Sequence, residues 1–384
     1  MFSAEQLEIR ALAREFAEGE LRPHTARWDR DRALDDDIFG KLAELGFLGM
    51  RVPERYGGLG LDMSTCLLAL EELAWGDASV ALSVAIHTGP VTDLLLEYGS
   101  DEQKETWLSS FASGETLGAF ALSETPSGSD VRSVDTTAVP EGAGWRIDGH
   151  KRWVTNGARA GLVFVFATTS GEDDPTLGVF MVSPQSAGYA VTATETTMGL
   201  RASEIVSVEL DGVQVPSDRV LGDSANGLEY ALRALDRARL GIAAQSVGVA
   251  QGAFEHAIAY ALDRRQFGHA IADFGAIQFK LADMASRIGA SRALLHVAAE
   301  DAEDGQGISS ASALAAMAKL TASESAMWVA DEAVQIFGGY GYMRDYPVEQ
   351  IMRDAKGTEI YGGTNEIMRV VIAREILRKA RGHP

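Results

Sequence analysis

Hydrophobic positions recur at two different periods along this chain. From Ser3 to about Ser113 the period is helical: Leu7, Ala11, Ala13 and Phe16 recur at helix spacing, and Ile38, Leu42, Leu45 and Leu48 do the same. Gly and Pro punctuate these helices at Val52-Pro53 and in the stretch Tyr56, Gly57, Gly58, Leu59, Gly60. Near Leu117 the texture changes. Short β-branched and aromatic runs then alternate with turn residues as far as Leu221. Examples are Trp145 to Gly149, Leu162 to Ala167, Val179 to Val182 and Ile205 to Leu210, which predict the strands of a barrel or sandwich. From Gly227 the helical period returns, and Ala-rich stretches such as Ser309 to Ala333 predict bundle helices.

A chain of 384 residues is long enough for two or three structural units. No apolar run reads as long enough to span a bilayer, and the N-terminus lacks the regions of a signal peptide, so a cytoplasmic location is the expectation. The formal net charge of −21 offers no basic footprint for nucleic acid. The seven histidines show no HExxH or Cys/His spacing, so no metal site is expected. The single cysteine, Cys66, lies in an apolar run and reads as a core thiol rather than a nucleophile.

Five segments carry candidate chemistry. Phe120 to Asp130 combines small residues, Gly128 and serine hydroxyls that suit a polar ring edge. Lys151 to Gly157 sets an indole, Trp153, beside the hydroxyl of Thr155, a pair that can cover and hydrogen-bond a planar cofactor. Arg264 to Gly268 offers guanidinium for phosphate and Phe267 for stacking. Gln335 to Tyr342 and Thr358 to Met368 are glycine-rich breaks where bare backbone can approach a pyrophosphate. Taken singly, each also reads blandly, as a junction loop, a strand-end turn, a solvated Arg pair or a glycine C-cap.

In this order and at this spacing, the five segments together resemble the acyl-CoA dehydrogenase family across nearly the whole chain. No GxGxxG follows a strand, so the cofactor is not held in the Rossmann manner. The resemblance implies an α+β, mostly α fold. Its parts are an N-terminal helical domain over 1–116, a central β barrel over 117–223 and a C-terminal four-helix bundle over 224–384. It also implies FAD, bound by Phe120, Leu122, Ser123, Ser129, Trp153 and Thr155, by Thr364 and Glu366 beside the phosphates, and by Arg264, Phe267, Phe274, Gln335, Gly338 and Gly339 from a neighbouring subunit. A homo-oligomer, most often a tetramer, follows. An acyl-CoA, or the thioester of a carrier protein, would meet Ser129, Asp236, Arg239, Tyr361 and Gly363, and an acceptor such as electron-transfer flavoprotein would take the electrons. The implied reaction is α,β-dehydrogenation with hydride transfer to flavin N5.

Two departures from the family pattern stand out. Gly275 occupies a position where the family often has a FAD-contacting Gln. More seriously, the carboxylate that removes the α proton is missing from both usual positions, which are Gly362 and Ala238 in this chain. A positioned base contributes roughly 10²–10⁴-fold to rate. His87 and Glu204 are the substitutes the sequence offers, with Glu359 and Glu366 flanking the vacant position. The alternatives are other flavin chemistry on an acyl thioester, or a non-catalytic thioester-binding subunit of a hetero-oligomer.

Overall fold

The computed structural model describes residues 2–169, 176–303 and 308–382. The N-terminal helices are α1 Ala4–Phe16, α2 Thr25–Asp31, α3 Ile38–Glu44, α4 Met63–Gly76, α5 Ala78–Ile86, α6 Thr92–Tyr98 and α7 Asp101–Ala112. Side chains set their starts: Ser3 and Ser100 form capping boxes with Gln6 and Gln103, and Asp77 accepts the Ser79 and Val80 amides at the head of α5. Helix α4 is buried on almost every face, because the rest of the helical body wraps around it.

Seven strands follow: β1 Gly118–Ala121, β2 Thr137–Glu141, β3 Gly144–Val154, β4 Leu162–Thr169, β5 Thr176–Val182, β6 Tyr189–Thr194 and β7 Val206–Pro216. They form one curled sheet. β4 carries β5 on one side and pairs in parallel with β1 and β2 on the other; β2, β3, β7 and β6 continue antiparallel. Ladder hydrogen bonding stops at β5 and β6. The inner face is a small apolar core of Ile147, Val163, Val165, Phe180, Val208 and Val213 among others. The alternate residues of β4, Leu162, Phe164 and Phe166, face outward into a second core with α6, α7 and the start of α8, Gly227–Asp263. That alternation is why β4 reads as an unbroken hydrophobic run.

Beyond α8 come a two-residue hairpin, β8 Arg265–Gln266 and β9 His269–Ala270, then α9 Gly275–Glu303, α10 Ile308–Phe337, α11 Pro347–Thr358 and α12 Asn365–Ala380. Helix α8 has 37 residues and lies against α4. Their approach is close because Gly248 has no side chain: a Cβ there would run into the Glu71 carbonyl. The largest core joins α1 and α4 to α8, α9 and α10, so the helices on both sides of the sheet form one body.

One expectation is corrected. The run Ala78–Tyr98 is long and apolar enough by composition to cross a membrane. It is an interior element of the helical body, with Val80, Val84, Leu94 and Leu95 fully buried or nearly so.

Candidate functional site

The five segments fall into three groups in space. The first lies on the sheet. Strand β1 ends at Ala121 and opens into the loop that carries Leu122, Ser123 and Ser129. Next to it, β3 ends at Val154, just after Trp153. The two are joined where the Arg152 amide donates to the Ser123 carbonyl at 2.9 Å. A buried ion pair pins the loop: Lys151 Nζ donates to Glu124 Oε1 at 2.6 Å and to the Leu122 carbonyl at 3.1 Å. Glu124 in turn accepts the amides of Asp135 at 2.6 Å and Thr136 at 3.0 Å. Burial pulls the Lys151 ammonium down to about 8, while the Glu124 carboxyl lies below its usual range despite burial, chiefly because of the lysine charge. Trp153 has φ 58°, an uncommon conformation for a bulky residue, and its indole is half exposed. The following turn is held by Asn156, also left-handed, whose side-chain amide donates to the Ser83 carbonyl at 3.0 Å. An exposed indole held in a rare backbone conformation can stack on a planar partner.

The second group surrounds the turn between α11 and α12. Gly362 and Gly363 are both left-handed, at φ 65° and 95°, so the chain reverses without side chains. Ala238, Ile242 and Gln245 follow at i, i+4 and i+7 on α8 and share the face that meets this turn. A Cβ built on Gly362 would overlap Ile242 Cδ1. Tyr361 Oη donates to Gln245 Oε1 at 2.5 Å, and Gln245 Nε2 donates to the Ala78 carbonyl at 2.7 Å. Asp236 and Arg239 bond to each other at 2.5 Å, and Ser312 Oγ donates to the same Asp236 oxygen at 2.9 Å. The pair is largely buried rather than a surface ion pair, and among the described residues Arg239 Nε has no acceptor. Thr364 caps α12 by accepting the Ile367 amide at 3.3 Å. Beside that helix start lies a cleft of ≈ 470 Å³ lined by Thr364, Asn365, Glu366, Glu359 and Arg369 among others. The N–H end of a helix suits a diphosphate.

The third group lies at the other end of α8. Arg264 ends that helix with its guanidinium over the Tyr340 ring at 5.4 Å. Phe267 and Gly268, both left-handed, form the hairpin turn, and the Phe267 ring is 91% exposed, with the Phe274 ring 6.1 Å away. Gln335 is exposed near the end of α10, and Gly338 and Gly339 present bare backbone to open space. From Ala238 to Arg264 the helix rises roughly 40 Å. The third group therefore does not share a site with the second in the same chain.

Neither substitute base survives the geometry. His87 is fully buried, and both ring nitrogens are engaged: Nδ1 accepts the Gly118 amide at 3.0 Å, and Nε2 lies 3.2 Å from the Phe111 carbonyl. Burial pushes the imidazole down to about 4. It is a core histidine tying α5 to β1. Glu204 forms an ion pair with Arg159, which also reaches Asp36 and the Leu34 carbonyl at the edge of the N-terminal helices. Glu359 pairs with Lys356 at 2.5 Å, and exposed Glu366 occupies the first turn of α12. Among the described residues no group of three or more His, Cys, Asp or Glu could hold a metal ion.

The neutral form of His87 stabilises the fold above pH 6.5, and that contribution is lost as pH falls from 6.5 towards 4. Replacing His87 by Ala should lower stability by roughly 2–4 kcal/mol, because a buried amide and a carbonyl lose their partner. It should also flatten the acid slope of stability in that window without moving the pH profile of flavin reduction. Urea melts at pH 5 and 7, with reduction assays alongside, check this; a stable variant with altered pH–rate behaviour would restore His87 as a catalytic group.

Four residues central in the structure, Lys151, Ile242, Gln245 and Lys319, have no role in the sequence reading, although Lys151 opens one of its candidate segments. Lys319 has a visible signal, as the single Lys or Arg of the Ala-rich stretch from Ser309 to Ala333.

Three family models match in succession: acyl-CoA dehydrogenase N-terminal domain over residues 3–115, middle domain over 119–213 and C-terminal domain over 225–377. An acyl-CoA dehydrogenase of Bacillus subtilis is 40% identical over 374 residues, covering 97% of this chain and 98% of that protein. The butyryl-CoA dehydrogenase structure from Megasphaera elsdenii aligns with a TM-score of 0.95 at 36% identity, over 98% and 99% of the two chains. A glutaryl-CoA dehydrogenase from Mycobacterium smegmatis, solved in complex with FADH2, aligns with a TM-score of 0.92 at 28% identity, over 98% and 95%.

Proposed function

The chain belongs to the acyl-CoA dehydrogenase family, and on that premise we propose that it is an FAD-dependent enzyme of short acyl thioesters whose proton-abstracting carboxylate is absent from both usual positions. The observation that carries the substrate size is the Tyr361–Gln245–Ala78 chain of hydrogen bonds. An acyl chain entering beneath the Gly362 turn runs along the Ala238, Ile242, Gln245 face of α8. It meets that polar plug after roughly 10 Å of helix rise. A short chain stops before the plug; a long one displaces it and leaves buried polar groups unpaired.

The residues present fit FAD. The half-exposed Trp153 and the hydroxyl of Thr155 suit the ring, with the loop of Leu122 and Ser123 along its edge. The cleft at the start of α12 suits the diphosphate. When bound, FAD supplies the hydride acceptor of the reaction. Ser129 and the Asp236–Arg239 pair are our candidates for the thioester's CoA arm. Arg264, Phe267, Phe274, Gln335, Gly338 and Gly339 lie too far along α8 to serve the same site, so we assign them to the flavin of a second copy in a homo-oligomer. Electron-transfer flavoprotein is the proposed acceptor. With Gly362 and Ala238 vacant, a second reading keeps thioester binding and replaces dehydrogenation by other flavin chemistry or by a non-catalytic role.

Anaerobic titration of the FAD-loaded protein with butyryl-CoA tests the main reading. The expected result is a perturbed flavin spectrum at once and bleaching roughly 10²–10⁴-fold slower than a family member with its base in place. Bleaching at the rate of such a member refutes the vacancy; a perturbed spectrum that never bleaches favours the second reading. Replacing Gln245 by Ala should favour longer chains by roughly fourfold in kcat/KM per added methylene, the value of burying one CH₂. An unchanged chain-length profile would remove the plug from the argument.

A further inference from the structure

Lys319 is a basic side chain buried in the helical body. It stands in the middle of α10 with no exposed surface. Its Nζ donates to the Gly363 carbonyl at 2.9 Å and to Asn365 Oδ1 at 2.8 Å. Ser323 Oγ, one turn along α10, donates to the same Asn365 oxygen at 3.1 Å. The two acceptors belong to opposite halves of the site. Gly363 closes the left-handed turn that presents Tyr361 and Gly362 to the acyl face of α8. Asn365 is the first residue of α12, whose N-terminus borders the cleft assigned to the diphosphate. Both acceptors are neutral, a carbonyl and a side-chain amide. The charged groups facing the ammonium are Arg239 from α8, Glu324 on α10 itself, Glu359 after α11 and Glu366 on α12.

We propose that Lys319 is the positioning residue that locks the acyl turn and the diphosphate end of α12 into one geometry, and that its positive charge strengthens flavin binding. The proposal rests on the assignment of that cleft to FAD. A turn with two left-handed glycines and no side chains of its own has little to fix it from within. One ammonium bonded to both ends of the turn does so from the helix behind. Burial, followed by the Arg239 charge, pulls the ammonium down to about 7. The lysine therefore carries its charge below that pH and loses it above. The lock keeps its hydrogen bonds in both states, because a neutral amine still donates, but the charge near the phosphates disappears.

The test measures FAD dissociation and butyryl-CoA binding between pH 6 and 8.5 in the full-length protein and in Lys319→Met, Lys319→Arg and Asn365→Ala. In the parent, FAD affinity should fall by about tenfold as pH rises through 7, the scale of one charge-assisted contact. Lys319→Met should weaken both ligands by at least about tenfold and lose the pH step. Lys319→Arg, permanently charged, should hold FAD with no pH step. Asn365→Ala removes one acceptor and should weaken both ligands while keeping the step, which leaves the proposal testable if Lys319→Met does not fold. A merely structural lysine would shift stability and leave no pH step for Lys319→Arg to abolish. Parent-like binding of both ligands by Lys319→Met, or a pH step that survives in it, overturns the proposal. A parent chain that takes up no FAD overturns the cofactor assignment instead.

Discussion

Placing a carboxylate at Ala238 should accelerate flavin reduction by butyryl-CoA roughly 10²–10⁴-fold, the usual worth of a positioned general base. Ala238→Glu and Gly362→Glu look equivalent in sequence, because each fills one of the two positions at which the family resemblance leads one to expect a base. The structure separates them. Ala238 lies within α8, already has a Cβ, and can extend a Glu without backbone strain. Arg239, the next residue along α8, is a buried cation whose charge favours the ionised form. Gly362 has φ 65°, where an L side chain costs roughly 1–2 kcal/mol. Its Cβ would also overlap Ile242 Cδ1. Gly362→Glu should therefore recover only a fraction of the rate, and adding Ile242→Val should raise it further by making room. Anaerobic stopped-flow on the three variants and the parent decides the matter. If Gly362→Glu bleaches quickly while Ala238→Glu stays at the parental rate, the reading of α8 as the unstrained host is wrong.

The largest expected loss of stability comes from Lys151→Met. The substitution leaves Glu124 in the interior without its cation, and breaking one side of a buried pair typically costs about 3–5 kcal/mol. The effect should extend to colour. Glu124 ties the loop of Leu122 and Ser123 to the Asp135 and Thr136 amides, so freeing it loosens the segment assigned to the flavin edge. Purified Lys151→Met should unfold at lower urea and retain less flavin. Adding Glu124→Gln should recover part of both losses, because the amide keeps an acceptor and removes the charge. A single variant that melts with the parent and stays yellow would show that the pair does not hold the loop.

Much of this fold is legible in the sequence, because period carries it. The strands containing Leu162 to Ala167 and Val179 to Val182 are strongly apolar, and both appear in the structure near those limits. Strand β6 is missed: five of its six residues are exposed, apolar and polar alike, so its run from Tyr189 to Thr194 has no buried face to mark an alternation. At the site, segments are easier to read than roles. The motifs locate Trp153, Thr364 and Gly363 because backbone conformation and bare approach leave a mark in residue type. The polar plug leaves none, since Gln245 and Tyr361 are 116 residues apart and meet only when α8 packs under the turn. His87 shows the converse. A histidine is a plausible base in sequence, and only the Gly118 amide and the Phe111 carbonyl disclose that its nitrogens are taken. Charge placement depends on neighbours, and neighbours are set by tertiary packing.

The shared core of the helical body bears on how the chain is made. Helices α1 and α4 bury their apolar faces against α8, α9 and α10. Those partners begin only at Gly227, after the whole sheet has been synthesised. At ribosomal speed of about 5–20 residues per second, the N-terminal helices wait on the order of ten seconds for their partners. During that interval the sheet, which has its own apolar interior, can fold first. The apolar face of α4 stays available to a chaperone until α8 emerges to cover it.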